Sequence, residues 1–374
     1  MVKIKRKMAI FALGVFLFNF ANSYSIYADT ENIYKQFIPK EAQEYANDNY
    51  KRGIDVVLSN PNLYNIYGEV EDFKLCEPYF VYDVNESIQD PLYYFPIKDK
   101  EEKIVLVMAV IRNQDGWGFS IGTDISEELN QFDYLEEECV VYGDEENVFL
   151  ENKNKKMKKK ESFNNKDKTS KFDNKKFEDK KKDIKNNYKV DMDVKYEEGK
   201  DVLEESGFAI GTPTCLLLDV SSASVNQKIN GQSRGICWAA TVATIYNYIM
   251  DKHISAKDVC DSINHSYTGG TRQDVKAAFK YFNLDYRGHF FMGFDEIKRY
   301  MKCRKPIYMT TVSEDGKSAH AVTLIGYDDR YDGRYISIWN SAIESYMTLE
   351  FDDSNTSFGM NSTSYHWQSS FAYK

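Results

Sequence analysis

The sequence predicts an α+β protein with two folded parts, and three observations predict it. A helical stretch and a hairpin pattern share the first half, a second helix and a second hairpin share the last part, and a lysine-rich run lies between them. The length of 374 residues, against about 100 to 200 for one domain, fits two domains. Hydrophobic residues make up 42% of the chain and aromatic residues 15%, enough for at least one packed core. The net charge of −10 opposes a nucleic-acid partner, because phosphate recognition needs a basic surface.

The chain opens with Lys3, Lys5, Arg6 and Lys7, followed by an uncharged run of thirteen residues from Met8 to Phe20. That run is shorter than the roughly 20 residues of a spanning helix. The small Ala28 before Asp29 offers a cleavage site, so residues 1–28 read as a signal peptide, with a retained membrane anchor as the alternative. The expected location is secreted, extracellular or at the cell surface.

Residues 29–150 hold 9 basic against 27 acidic side chains and no histidine. Glu41 to Leu58 has helical character, weakened at Gly53. Ile104 to Ile111 is a continuous apolar strand, Asn113 to Gly116 a turn and Trp117 to Ile121 a return strand. A small α+β domain without a catalytic constellation is expected, whose Ile104 to Ile111 hairpin could dock on the last part of the chain by apolar packing or by adding a strand beside its cleft. Residues 151–189 carry 16 basic against 7 acidic side chains and few large apolar ones, too few to offset the entropy of ordering. They read as a disordered linker, or as a polybasic segment in weak contact with anionic lipid or cell-wall polymer.

Residues 190–374 hold the candidate chemistry. In Gln232 to Tyr248 (QSRGICWAATVATIYNY), Gly235 interrupts the chain and a helix begins near Cys237, with Trp238, Val242, Ile245 and Ile249 at helical spacing. A thiol in a first turn meets unpaired amides and the positive dipole end, which favour the thiolate. The six cysteines, Cys76, Cys139, Cys215, Cys237, Cys260 and Cys303, lack the close pairs of a zinc site or a disulfide framework, and no metal or other cofactor is expected. Four histidines, His253, His265, His289 and His366, suggest surface or packing roles, whereas His320 opens a strand, His320 to Tyr327. A second strand runs from Arg334 to Asn340. With that hairpin centred on Arg330, His320 and Asn340 face each other about 5 Å apart between Cα atoms. The Asn340 side chain can then accept the imidazole Nδ1 hydrogen and hold the ring toward sulfur.

These residues resemble the papain-like cysteine proteases. Gln232 with Cys237 and Trp238, His320 with AVTLIGY, and Asn340 with Ser341 occur in the order of that family. The spacing from Gln232 to Cys237, the IWN run, Tyr346 to Thr348 and the ending Tyr365 to Phe371 are similar to the staphopain branch of secreted bacterial proteases. The resemblance covers residues 210–374 with specific motifs and 29–150 only in general plan. It implies a papain-like catalytic domain over 190–374, with a helical part and an antiparallel β-barrel-like part. It also implies a small α+β propeptide domain over 29–150 that inhibits the enzyme in a zymogen, and protein or peptide substrates.

The same resemblance assigns roles. Cys237 is the nucleophile, His320 the general base and then acid, and Asn340 the orienting residue. Gln232 and the Cys237 backbone N–H serve the developing oxyanion. Trp238, Gly269 and Gly270 fall to substrate binding, glycine letting a second chain approach closely, although a turn before the Arg272 to Phe282 helix explains the glycine pair nearly as well. Papain-like enzymes often carry Trp two residues after the Asn. Ala342 stands there in this chain, leaving Trp339 or Trp367 as substitutes. Two other classes stay open: a transglutaminase-like acyltransferase, whose third residue is commonly Asp, and a non-catalytic surface-binding protein on a papain-like fold.

Overall fold

The computed structural model describes residues 38–79, 81–83, 92–113, 116–132, 140–143, 148–151, 156–158, 214–353, 355–361 and 363–374. The expected signal peptide, 1–28, and residues 159–189 of the lysine-rich run lie outside the described residues. Among the described residues no helix is long and apolar enough to cross a membrane.

In the first half, helix α1 (Lys40–Leu58) buries Ala42, Ala46, Tyr50, Ile54 and Val57 along one stripe at three- to four-residue spacing. Short helices α2 (Pro61–Tyr64) and α3 (Ser126–Gln131) follow. The strands are β1 (Lys74–Leu75), β2 (Tyr82–Asp83), β3 (Leu92–Lys98), β4 (Ile104–Asn113), β5 (Gly116–Gly122), β6 (Val140–Gly143), β7 (Val148–Glu151) and β8 (Lys156–Lys158). The expected hairpin is β4–β5, closing at Asn113↔Gly116. Strand β4 is apolar from Ile104 to Ile111 because both of its faces are covered there. Leu106, Met108 and Val110 pack under α1, while Val107, Ala109 and Ile111 join Leu129 and Phe132 on the other side. Strands β2, β6, β7 and β8 form a separate sheet. Glu151 ends β7 and Lys156–Lys158 form β8, so the lysine-rich run begins as strand rather than as linker.

The second half contains β9 (Thr214–Leu217), β10 (Lys228–Ile229), β11 (Gln232–Ser233), β12 (Tyr286–His289), β13 (Ile307–Ser313), β14 (Ala319–Arg330), β15 (Gly333–Asn340), β16 (Ser345–Glu350), β17 (Ser357–Met360) and β18 (Thr363–Tyr373). Its helices are α4 (Cys237–Met250), α5 (Ala256–Ser262), α6 (Arg272–Tyr281) and α7 (Phe294–Lys302). Ser255 and Thr271 start α5 and α6 through reciprocal capping with Asp258 and Asp274. Strands run β16-β15-β14-β13-β18-β12, each pair antiparallel. Helix α7 covers one core of this sheet, and α4, α5 and α6 build another. Strand β9 lies along β14, with Leu217 against Gly326.

The two halves share one sheet. Strand β5 pairs with β16 (Met347↔Gly122, Thr348↔Ile121, Leu349↔Ser120), so the strand order continues as β1-β3-β4-β5-β16. The part expected to be barrel-like is therefore an open antiparallel sheet whose edge is extended by the first half. The added strand is β5, the return strand of the hairpin, rather than the apolar β4. Tyr335 of β15 sits in the core beneath α1.

Candidate active site

Cys237 is the first residue of α4, after Ile236, whose carbonyl accepts the amides of Ala239 and Ala240. The helix packs on β14, and Cys237, Tyr308 and Ala321 belong to one core. Cys237 is 9% exposed. Burial pushes its pKa up, against the backbone hydrogen bonds of Ala321, Trp238 and Cys237 itself, which favour the thiolate. The helix-dipole expectation of a lowered thiol is thus corrected: desolvation outweighs what the amides return.

His320 is 2% exposed and Asn340 fully buried. The imidazole Nε2 lies 2.8 Å from Asn340 Oδ1, which also accepts the Ala342 N–H at 3.1 Å. The Asn340 amide nitrogen faces the sulfurs of Met360 (3.6 Å) and Met347 (3.9 Å). Two details differ from expectation. The nitrogen held by Asn340 is Nε2, not Nδ1, and Nδ1 is buried without a hydrogen-bond partner. The hairpin centre is not Arg330 either. Strands β14 and β15 stay paired through Asp329↔Arg334 and Arg330↔Gly333, and a bulge at Leu324/Gly326 shifts the register again. Thr323 faces Trp339, so the His320–Asn340 bond runs diagonally along the sheet, within reach of same-face neighbours two residues apart.

Neither Trp339 nor Trp367 takes the place of the tryptophan that Ala342 replaces. The Trp339 indole N–H donates to Val225 O at 3.2 Å, and the Trp367 indole N–H donates to Ser370 Oγ at 2.9 Å. Tyr365 and Phe358 are the rings against His320, with centroids 5.9 and 6.4 Å away, and with Met347 and Met360 they enclose the His320–Asn340 pair.

Burial lowers the His320 pKa from its ordinary 6.5 to about 4, against the Asn340 bond, which favours the protonated ring. Between these values the unfolded chain binds a proton that the folded chain does not, so stability present above pH 6.5 is lost as pH falls toward 4. This group alone should cost up to about 3 kcal/mol across that window. Urea unfolding from pH 6.5 to 4 should show the decline. His320→Gln should flatten it, and an unchanged slope in that variant would contradict the assignment.

Trp238, one residue beyond the thiol, donates its indole N–H to Thr268 O at 3.0 Å, and His265 packs edge-on against it at 5.0 Å. A Cβ on Gly270 would stand 2.5 Å from the Trp238 ring, whereas one on Gly269 would meet nothing within 4 Å. Gly270 is thus required by close approach, and the exposed Gly269 leaves an open backbone edge. Gly270→Val should displace Trp238 and lower kcat/KM for a peptide by about tenfold or more, corresponding to at least ~1.4 kcal/mol. Gly269→Ala should change it far less, and equal effects would count against this packing.

Gln232 lies on β11, its side-chain oxygen accepting from Arg234 Nη2 at 3.3 Å. Sequence reasoning missed Gln227, 1% exposed, which accepts the Ser341 hydroxyl at 3.5 Å. It also missed Tyr308, Met347 and Met360. A lone buried Gln, Tyr or Met carries no spacing signal, and only the fold brings them to the site.

Residues 219–350 match the model of a family described as papain-like cysteine protease AvrRpt2. That match supports a cysteine peptidase. It includes Cys237, His320 and Asn340, and it ends before β17 and β18. A solved structure described as a C39-like peptidase from Bacillus anthracis matches at 13% identity, over 37% of this chain and 98% of that one, with a TM-score of 0.26. A comparison with curated proteins finds no match.

Proposed function

We propose that this chain is a secreted cysteine endopeptidase made as a zymogen, papain-like in its catalytic part, with motif spacing nearest the staphopain branch. The observation that supports this reading most is the buried His320, tied at Nε2 to Asn340 and left without a partner at Nδ1, on the strand against which the helix starting at Cys237 packs. A buried nitrogen without a partner calls for an explanation, and a thiol turning toward Nδ1 provides one.

In this reading Nδ1 takes the Cys237 proton and the thiolate attacks the scissile carbonyl. The resulting oxyanion accepts hydrogen bonds from the Cys237 N–H and the Gln232 amide. The imidazolium then gives its proton to the leaving amine as the C–N bond breaks, leaving a thioester. Water, deprotonated by His320, hydrolyses the thioester to an acid and restores the thiol. Asn340 holds the ring throughout. Burial pushes the Cys237 thiol up and the His320 imidazole down, both toward the neutral form, and the lysine-rich run is the proposed place for the activating cut.

The test is to cut the full chain between residues 159 and 189 and incubate it with casein and, separately, with a thiol-directed epoxide. New amino termini in casein and a single epoxide label on Cys237 are expected. Amine incorporation into a glutamine peptide without hydrolysis would favour an acyltransferase. Neither product nor label would favour a non-catalytic binding protein.

A further inference from the structure

The first half reaches the second through buried contacts on the sheet behind Asn340. Beyond the β5–β16 pairing, the Tyr64 hydroxyl meets Thr348 Oγ1 at 2.7 Å, Tyr94 donates to Asn361 O at 2.6 Å, and Thr123 Oγ1 meets Ser345 Oγ at 2.8 Å. Gly359 of β17 packs so closely under the first half that a Cβ there would stand 2.6 Å from Leu92 and 3.2 Å from Ala109. Tyr335 is 1% exposed and its ring lies 5.9 Å from Phe119. At the rim, Arg330 binds Asp55 and Arg52 binds Asp332. The strands gripped in this way, β16 and β17, carry Met347 and Met360, the sulfurs that flank the Asn340 amide, and Ser345 pairs with Asn340 itself.

We infer that residues 38–151 stay bound to residues 214–374 after the chain is cut between them, so that the working molecule is a two-piece assembly whose amino-terminal piece completes the sheet supporting Asn340. A releasable propeptide needs a surface that tolerates water once bared. Here departure would expose the paired edge of β16 and the apolar contacts of Tyr335 and Gly359 together, a combination typical of permanent rather than transient interfaces. Activation would then follow from the cut rather than from loss of the piece. Persistence of the assembly stands apart from the peptidase reading, and only its service to Asn340 rests on that reading.

A recognition sequence for a site-specific protease, inserted between residues 160 and 190, allows a complete single cut in the otherwise intact protein. Size exclusion and native mass spectrometry should then show both pieces in one species on dilution to about 100 nM, as an interface of this kind should persist at such concentrations. Amide exchange at Met347, Thr348 and Leu349 should be the same before and after the cut. Separation of the pieces on dilution, with exchange at β16 rising while the larger piece stays folded, would overturn the inference. Inhibition on adding the small piece back would then mark it as a releasable inhibitor. Gly122→Val places a Cβ where one would lie 2.9 Å from Tyr346 O. The cut variant should therefore dissociate at least tenfold more readily than the cut wild type, and equal persistence would exclude the β5–β16 seam as its basis. None of these readouts requires turnover, so absent proteolysis leaves them informative.

Discussion

Cys237→Ala is expected to reduce peptide hydrolysis by about 10⁴-fold or more, leaving only what binding and the oxyanion donors supply without a nucleophile. His320→Ala should come close to it, because the pair acts as a unit and either loss removes most of the advantage. Epoxide labelling separates the two variants. The His320 variant still has its thiol, but burial holds that thiol protonated, so labelling at neutral pH should be slow and should rise only in alkali. Hydrolysis by Cys237→Ala at the wild-type rate would refute the assignment outright.

Asn340→Ala should follow these two, with a fall in kcat of about 10²-fold and KM little changed, since Asn340 bonds to the imidazole. The same change leaves the buried Ala342 N–H without its acceptor, at a cost of about 1 to 3 kcal/mol, so the melting temperature should fall as well. A Gln side chain at 340 offers a carbonyl one methylene out of place and should restore part of the stability but little of kcat. If Asn340→Ala altered KM alone, the ring would be held by something other than Asn340.

The candidate residues were legible because each stood in a local pattern: Cys237 at a helix start, His320 and Asn340 on paired strands. Their contact survived an incorrect register. The hairpin runs further than Asp328 to Arg330 suggest, since these polar residues read as loop but continue the ladder to the end of the two strands. Which imidazole nitrogen faces Asn340 depends on ring rotation, which a residue pattern does not encode. The thiol's pKa was misjudged for a related reason. Helix position is local, whereas its desolvation depends on β13 and β14, some 70 residues away or more. In the first half the β4–β5 hairpin was readable from its apolar run and NQDG turn, but its partner β16 was not, because edge pairing between distant segments leaves no periodicity to find.

Strand β9 bears on how the catalytic piece begins. Its four residues, Thr214 to Leu217, are paired along β14 from Gly326 to Asp329. An amino terminus produced anywhere upstream of Thr214 leaves that ladder whole, so a ragged population of starts should melt and turn over as one species. Erosion past Thr214 removes the backbone bonds in sequence and then uncovers Gly326 beneath Leu217. The frame of tolerated starts therefore has a hard downstream limit and a permissive upstream side, and imprecise trimming is harmless on that side alone.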